Sequence, residues 1–475
     1  MVASAAMRAG GILPFIAACA VVSLAAAPAG AESTCTDSGA RGQEARPTLS
    51  GPVQTIASDD GRFLIHWTTD GSDAPTAQAD ADGNGRPDFA DRILDGLLTG
   101  QQAFLDGGWR PVAPDDGSGG SDALDVYVRA IDANGYAFHA PPEADSDAAS
   151  SCTMHLEASL GDSLDGILES VAAHELHHCT QYAYTTAAPS WILEATATHQ
   201  QYRAFTSPAL QAGLDVLWIT RLTQPERPVD ALGGRYEYAG FAFVFFWESL
   251  GGLDPSRAPA LWEALREADG DWVDAAEAES ERIWGQGFAE TFVDHATWNA
   301  FACARDDGAH YDAGRFPCTL DTVVPIAAPA GDLLLDLPGL RYTAAYAEWH
   351  ADGDDRPIAL SCRGPGDDGA RARVRLLALD RFFRTTEVAE VTGRGGESFT
   401  LRLEQAVDVA GSVLAVVAST GSDPVTVDCT TERVEPVTDA PPVDGDGCGC
   451  ESAAPASAFL VAPLLIGLPK RRRRR

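Results

Sequence analysis

The hydrophobic pattern changes period along this chain, and each change marks a different kind of element. Residues 62–69 are β-rich, residues 123–131 alternate as a strand does, and residues 151–159 read as the next strand. Ile93, Leu94, Leu97 and Leu98 fall on one side of a helix. Leu164, Ile167, Leu168, Val171 and Ala172 recur at helical spacing, with Asp162 or Ser163 placed to cap the start. Residues 183–189 end in Pro and close that helix, and residues 191–202, free of Gly and Pro, read as another. Residues 205–300 are rich in helix formers and Trp. From about residue 321 the period shortens: apolar stretches at 333–335, 342–349, 372–379, 399–403 and 413–417 are separated by Gly/Asp turns, the pattern of a β-sandwich of around 110 residues. The expected fold is therefore an α+β domain over residues 32–320 followed by a β-sandwich over 321–434.

Both ends depart from this globular pattern. Residues 1–31 read as a secretory signal peptide, with Arg8, an apolar stretch over 12–27, and Ala29-Gly30-Ala31 as a small-residue cleavage site. Residues 435–475 combine a Pro/Asp/Gly linker, Cys448-Gly449-Cys450, an apolar run from 453 to 468 and a basic end of Lys470 and Arg471 to Arg475. That run is short for a bilayer span and is interrupted by Pro455 and Pro463.

Composition narrows the chemistry. The formal charge is −35, and it is more negative still without the basic ends. Nucleic-acid binding is excluded, because phosphate contacts need basic patches. The single Lys, Lys470, lies in the tail, which removes P-loop and Schiff-base chemistry. No G-x-S-x-G elbow is present either. Seven Cys lie between the end segments: Cys35, Cys152, Cys179, Cys303, Cys318, Cys362 and Cys429. In an oxidising compartment most would pair. Cys303–Cys318 and Cys362–Cys429 are expected as local pairs, Cys152–Cys179 as a tie between a strand and a helix, and Cys35 is left over.

The helix capped at Asp162 or Ser163 and closed by residues 183–189 carries the most specific chemistry, His174-Glu175-Leu176-His177-His178. Residues four apart share a helix face, so His174 and His178 can direct two imidazoles at one zinc ion, with Glu175 beside them as general base. His177, three residues from His174, is the competing choice for second ligand; only His178 completes H-E-x-x-H, which leaves His177 to packing or support. Glu194, sixteen residues after His178 on the next helix, offers a third ligand and leaves the fourth position open for water. Tyr236 and Tyr238 are candidates to stabilise an oxyanion. Gln181, nearly one turn past His178, has two readings, a hydrogen-bond partner near the site and, the preferred one, a plain helix-surface residue. Upstream, Asp80-x-Asp82-x-Asn84-Gly85-Arg86-x-Asp88-x-x-Asp91 matches a calcium loop of EF-hand type with Asp in place of the final Glu. Its ligands would be the side chains of Asp80, Asp82, Asn84, Asp88 and Asp91 and the Arg86 carbonyl.

These residues resemble the zinc peptidases that use Glu as third ligand, the gluzincins, and more closely a bacterial family of secreted metalloproteases common in myxobacteria. The likeness is carried by residues 63–71, by the Asp-rich loop at 80–88, and by 174–181 followed by Trp191-Ile192-Leu193-Glu194. The interval from His178 to Glu194 is shorter than in thermolysin-like enzymes. The resemblance implies a zincin-like fold for residues 32–320 and His174, His178 and Glu194 as zinc ligands, with Glu175 activating water against peptide bonds. Zn2+ and Ca2+ are the cofactors it implies, protein or peptide substrates its partners. A strand beside the zinc helix would bind extended substrate, and residues 151–159 are the candidate. The C-terminal Cys motif, apolar run and Arg cluster resemble the myxobacterial sorting signal, which implies a sorting protease and a final place at the cell surface, on the outer membrane of a Gram-negative bacterium. The principal alternative is a non-catalytic calcium-binding surface or adhesion protein on a degenerate peptidase fold; a zinc hydrolase of non-peptide bonds is the third.

Overall fold

A computed structural model describes residues 46–433, apart from short segments at 115–116, 140–149, 164–165, 313, 321–323, 330, 339, 351–357, 365–370, 394–399 and 403–410. The segments expected to be a signal peptide (1–31) and a C-terminal sorting signal (435–475), together with Cys35, lie outside the described residues.

The first layer is a sheet of β1 (Val53–Ala57), β2 (Phe63–Thr68), β3 (Leu124–Arg129), β4 (Gly135–His139) and β5 (Cys152–Glu157), in the order β1-β2-β3-β5-β4. Strands β2, β3 and β5 are parallel, while β1 and β4 run antiparallel to their neighbours. Alternate residues (Phe63, Ile65 and Trp67; Val126 and Val128; Met154 and Leu156) are buried in the main core, which they share with residues of α1 (Asp88–Asp106) and α2 (Ile167–Tyr182). The two helices cross closely at Gly96, where a Cβ would lie 2.5 Å from the Glu169 carbonyl oxygen. Arg92 then clamps the start of α2 through a two-pronged bond to Glu169 at 2.7 and 3.0 Å. Helix α2 begins at Ile167 rather than at an Asp162 or Ser163 cap. Residues Ala158–Asp162 form a 3-10 turn, and Ser163 after it is extended, so the chain has not yet entered the helix there.

Helices α3 (Ser190–Ala204), α4 (Pro208–Leu222), α5 (Tyr236–Ala239), α6 (Phe241–Ser249), α7 (Arg257–Glu267), α8 (Trp272–Trp284) and α9 (Phe288–Ala300) build the helical part. Helix α6 is apolar all round, with Phe241, Phe243, Phe245, Phe246 and Trp247 fully enclosed, as a helix surrounded by others must be.

Strands β6 (Ile326–Ala327), β7 (Leu333–Leu337), β8 (Thr343–His350), β9 (Ile358–Arg363), β10 (Ala372–Leu379), β11 (Thr385–Gly393), β12 (Thr400–Arg402), β13 (Ser412–Ser419) and β14 (Val425–Arg433) form two further sheets, β11-β10-β13-β8-β6 and β12-β9-β14-β7. Ala347, Trp349, Val374, Leu376, Val413 and Val417 share a core with Leu335, Leu360, Val425 and Val427 of the other sheet. The opposite face, with Ala344, Tyr346, Leu377, Leu414 and Val416, belongs to the main core of the helical part. Tyr346 Oη donates to the Ala296 carbonyl of α9 at 2.8 Å, and Arg375 pairs with Asp294 at 2.7 Å. Covered on both faces, β13 is buried at every position, which explains its lack of polar alternation. The molecule is thus mixed α+β, and the β-rich third of the chain shares a core with the helices before it.

Three disulfides form among the described residues: Cys152–Cys179, Cys303–Cys318 and Cys362–Cys429. The first ties β5 to α2 beside His178. No helix among the described residues is long and apolar enough to cross a membrane.

Candidate metal centre and active site

Helix α2 presents His174 and His178 on one face, and α3, entered directly after Pro189, presents Glu194 to them. His174 Nε2 lies 3.1 Å from Glu194 Oε2, and His178 Nε2 lies 3.6 Å from the same oxygen. One donor atom from each residue falls within 4.8 Å of the other two. Tetrahedral zinc with bonds near 2.0–2.1 Å separates its ligand atoms by about 3.3 Å, so two nitrogens and one carboxylate oxygen at these distances fit that ion.

Both imidazoles are held from behind. His178 Nδ1 meets Gln181 Oε1 at 2.8 Å, and the Gln181 amide nitrogen donates to the Leu193 carbonyl and Thr196 Oγ1 at 2.8 and 2.6 Å. The carbonyl partner fixes the amide orientation, so Gln181 accepts from His178 and leaves Nε2 free to ligate. His174 Nδ1 is held in the same way by Gln201 Oε1 at 3.2 Å, while the Gln201 amide nitrogen donates to Ser170 Oγ at 3.1 Å. Gln181 is fully buried and bridges α2 to α3, not exposed on a helix surface as its sequence position suggested. Gln201, twenty-seven residues from its histidine, has no local signature at all.

Electrostatics follow from this packing. Burial opposes a charge on His178, but the Glu194 carboxylate beside it, with Glu175, outweighs burial and raises its pKa to about 9. Burial would raise Glu194; the neighbouring His178 and His174 instead hold it well below the usual carboxylate range. A divalent cation bound here would take the place of a proton on the imidazoles. His177 takes no part. It is fully buried, edge-on to Phe104 at 4.8 Å and Trp109 at 4.4 Å, and burial, reinforced by His178 and His174, drives its pKa far down.

Glu175 is 7% exposed and lies against the start of β4. A Cβ on Gly135 would sit 2.6 Å from Glu175 Cγ and 2.8 Å from Oε1, so only glycine admits the carboxylate there. Strand β4 is an edge of its sheet among the described residues, whereas β5, which contains most of residues 151–159, lies between β3 and β4 with both sides paired. An added strand can pair only at a sheet edge, so residues 151–159, paired on both sides, cannot take one, and β4 is the strand at the edge. Of the two tyrosines, Tyr238 comes to the cluster, its ring centroid 6.0 Å from that of His174. Tyr236 is fully enclosed; its hydroxyl receives a bond from Arg221 at 2.8 Å and meets the Gln224 and Arg227 carbonyls at 3.1 Å.

The Asp-rich loop folds on its own side chains. Asp80 accepts from the Asn84 and Gly85 N–H groups, Asp82 from Asn84 N–H, and Asp88 from Ala81 N–H, at 2.9–3.1 Å. Donor oxygens of Asp80, Asp82 and Asp88 lie within 4.8 Å of one another. Asp91 is not in that group: Asn84 Nδ2 holds its carboxylate at 2.9 Å and Arg86 lies 3.9 Å away. The oxygen-only donor set fits a hard cation such as calcium.

No protein-family model matches this chain, and no curated protein matches it.

Proposed function

We propose that this protein is a secreted, cell-surface zinc endopeptidase of gluzincin type, with a zincin-like domain over residues 32–320 and a β-sandwich module over 321–434. The observation that carries this reading is the convergence of His174 Nε2 and His178 Nε2 on one oxygen of Glu194, with both Nδ1 atoms already held by glutamines. That arrangement leaves three donors aimed at one point and Glu175 beside it. A zinc ion held by His174, His178 and Glu194 would act as a Lewis acid and activate water at neutral pH. Glu175, pressed against Gly135, takes the proton from water as it attacks the peptide carbonyl, then delivers it to the leaving amine. Tyr238 stands on the His174 side, positioned to donate to the developing oxyanion. An extended peptide pairs along β4, whose free edge leads to Glu175.

Calcium in the loop from Asp80 to Asp91 would fix the start of α1, and so the helix against which α2 packs. The signal sequence and sorting segment would deliver the enzyme through an oxidising compartment, in keeping with its three disulfides.

The test is zinc analysis of the secreted chain with a peptide-cleavage assay, for the wild type and Glu175→Gln. About one zinc per chain is expected, with chelator-sensitive cleavage that the variant loses by roughly 10²–10⁴ while keeping its metal. A metal-free, inactive wild type would sink the proposal and favour an adhesion role.

A further inference from the structure

A second buried site lies where α4, α9 and β8 meet. Arg221, on the last turn of α4, is 5% exposed and lines an enclosed cavity together with His295 and Asn299 of α9 and Tyr346 of β8. The cavity measures about 10 Å³, room for roughly one small particle.

The charge of Arg221 is not matched by the protein around it. Among the described residues no carboxylate lies within 4.0 Å of its guanidinium, whose hydrogen bond goes to the neutral Tyr236 hydroxyl at 2.8 Å. A second cation, Arg227, stands 4.2 Å over the same tyrosine ring. Asp230 feels Arg221 only from beyond 4.0 Å and makes no ion pair with it. An arginine does not escape by deprotonation, and a buried cation without an anion is strongly destabilising.

His295 adds a donor. It is 1% exposed, and its Nδ1 has no partner. Asn299 Oδ1 accepts from Tyr311 Oη at 2.8 Å, which turns the Asn299 amide nitrogen toward His295 Nε2 at 3.4 Å. Nε2 is then the acceptor, and the imidazole proton resides on Nδ1. Arg221 and His295, which both line the cavity, thus carry a permanent cation and an unanswered N–H. Water would satisfy the N–H but leave the charge, and a polyatomic anion such as sulfate exceeds the space.

We infer that this cavity is a binding site for a single monoatomic anion, chloride, which neutralises Arg221 and locks the helical part onto the sheet that contains β8. Because the ion binds only the folded chain, it raises stability by mass action.

The experiment compares melting of the secreted chain in sodium chloride and in sodium gluconate at equal ionic strength, and soaks crystals with bromide. Chloride should raise the melting temperature in a saturable way by about 2 °C or more relative to gluconate, and bromide should give an anomalous peak inside the cavity. Arg221→Met should abolish the chloride effect. Should that variant fail to fold, Asn299→Asp supplies a fixed negative charge beside the cavity; it should fold and melt alike in both salts. Equal melting of the wild type in the two salts, with no bromide peak, means that the cavity holds water and overturns the inference.

Discussion

The two carboxylate-bearing clusters of this molecule solve the same problem in opposite ways. The Asp80–Asp82–Asp88 loop is largely exposed and is shaped by bonds between residues two to seven positions apart. The His174–His178–Glu194 cluster draws donors from two helices, and its geometry depends on Gln181, Gln201 and Gly135 around it. A loop whose backbone N–H groups are satisfied by its own side chains carries its geometry in local sequence. A cluster between helices has its geometry only once those helices are packed, and in return it is held to the fractions of an ångström that catalysis requires.

That contrast can be broken in several places. Acid should strike the buried region first. Burial lowers the His155 pKa to about 4 from an ordinary 6.5. The unfolded chain therefore binds a proton at this residue below pH 6.5 that the folded chain refuses until about pH 4. The associated stability is complete above 6.5 and is lost as pH falls through that window, by up to about 3 kcal/mol. Urea melts from pH 7 to 4 should show this fall, and His155→Phe should lessen its slope; an unchanged slope would contradict the assignment.

Gly135→Ala tests the tight fit at Glu175. Its Cβ would displace the carboxylate while leaving the three donors in place, so kcat should drop by about 10² with zinc content unchanged. Full activity would mean that Glu175 does not need that position. Gln181→Leu removes the bond that fixes the His178 tautomer, and zinc affinity, measured by competition with a chelating dye, should fall 10–100-fold. A variant that binds zinc as the wild type does would show that packing alone orients the ring.

The exposed loop should give the smallest response. Calcium at 100 times its dissociation constant adds about 2.7 kcal/mol of stability at most, and Asp80→Asn should remove that increment without changing zinc content. Equal melting temperatures with calcium and with a calcium chelator would remove calcium from the account.

How far each region was legible follows the same division. The H-E-x-x-H spacing encodes its own geometry through the helical repeat, so His174, Glu175 and His178 could be read directly, and His178 rather than His177 joins the cluster because the fourth residue, not the third, stays in line with Glu194. Gln201 could not be read, because nothing local relates it to a histidine twenty-seven positions earlier. The neighbouring tyrosines show the limit most plainly: two residues apart on one short helix, Tyr238 faces His174 while Tyr236 is enclosed beside Arg221. Residues 151–159 were expected to receive substrate, but pairing decides which strand is an edge: β5 lies between β3 and β4, and β4, at 135–139, was not read from the sequence as a strand at all. Strands β9, β11 and β14 escaped notice because their polar residues interrupt the apolar runs by which the others were recognised.

Sequence alone determined the elements whose physics is local: the helix that carries H-E-x-x-H, the Asp-rich turn, the apolar strands and the acidic, nearly lysine-free composition that removes whole classes of chemistry. Tertiary structure decided which donors meet, which glycine makes room for Glu175, which strand lies at a sheet edge, and where a buried arginine makes no ion pair among the described residues. The reason is that helical and strand periods act over a few residues, whereas a site of this kind depends on side chains brought together by burial from positions tens of residues apart.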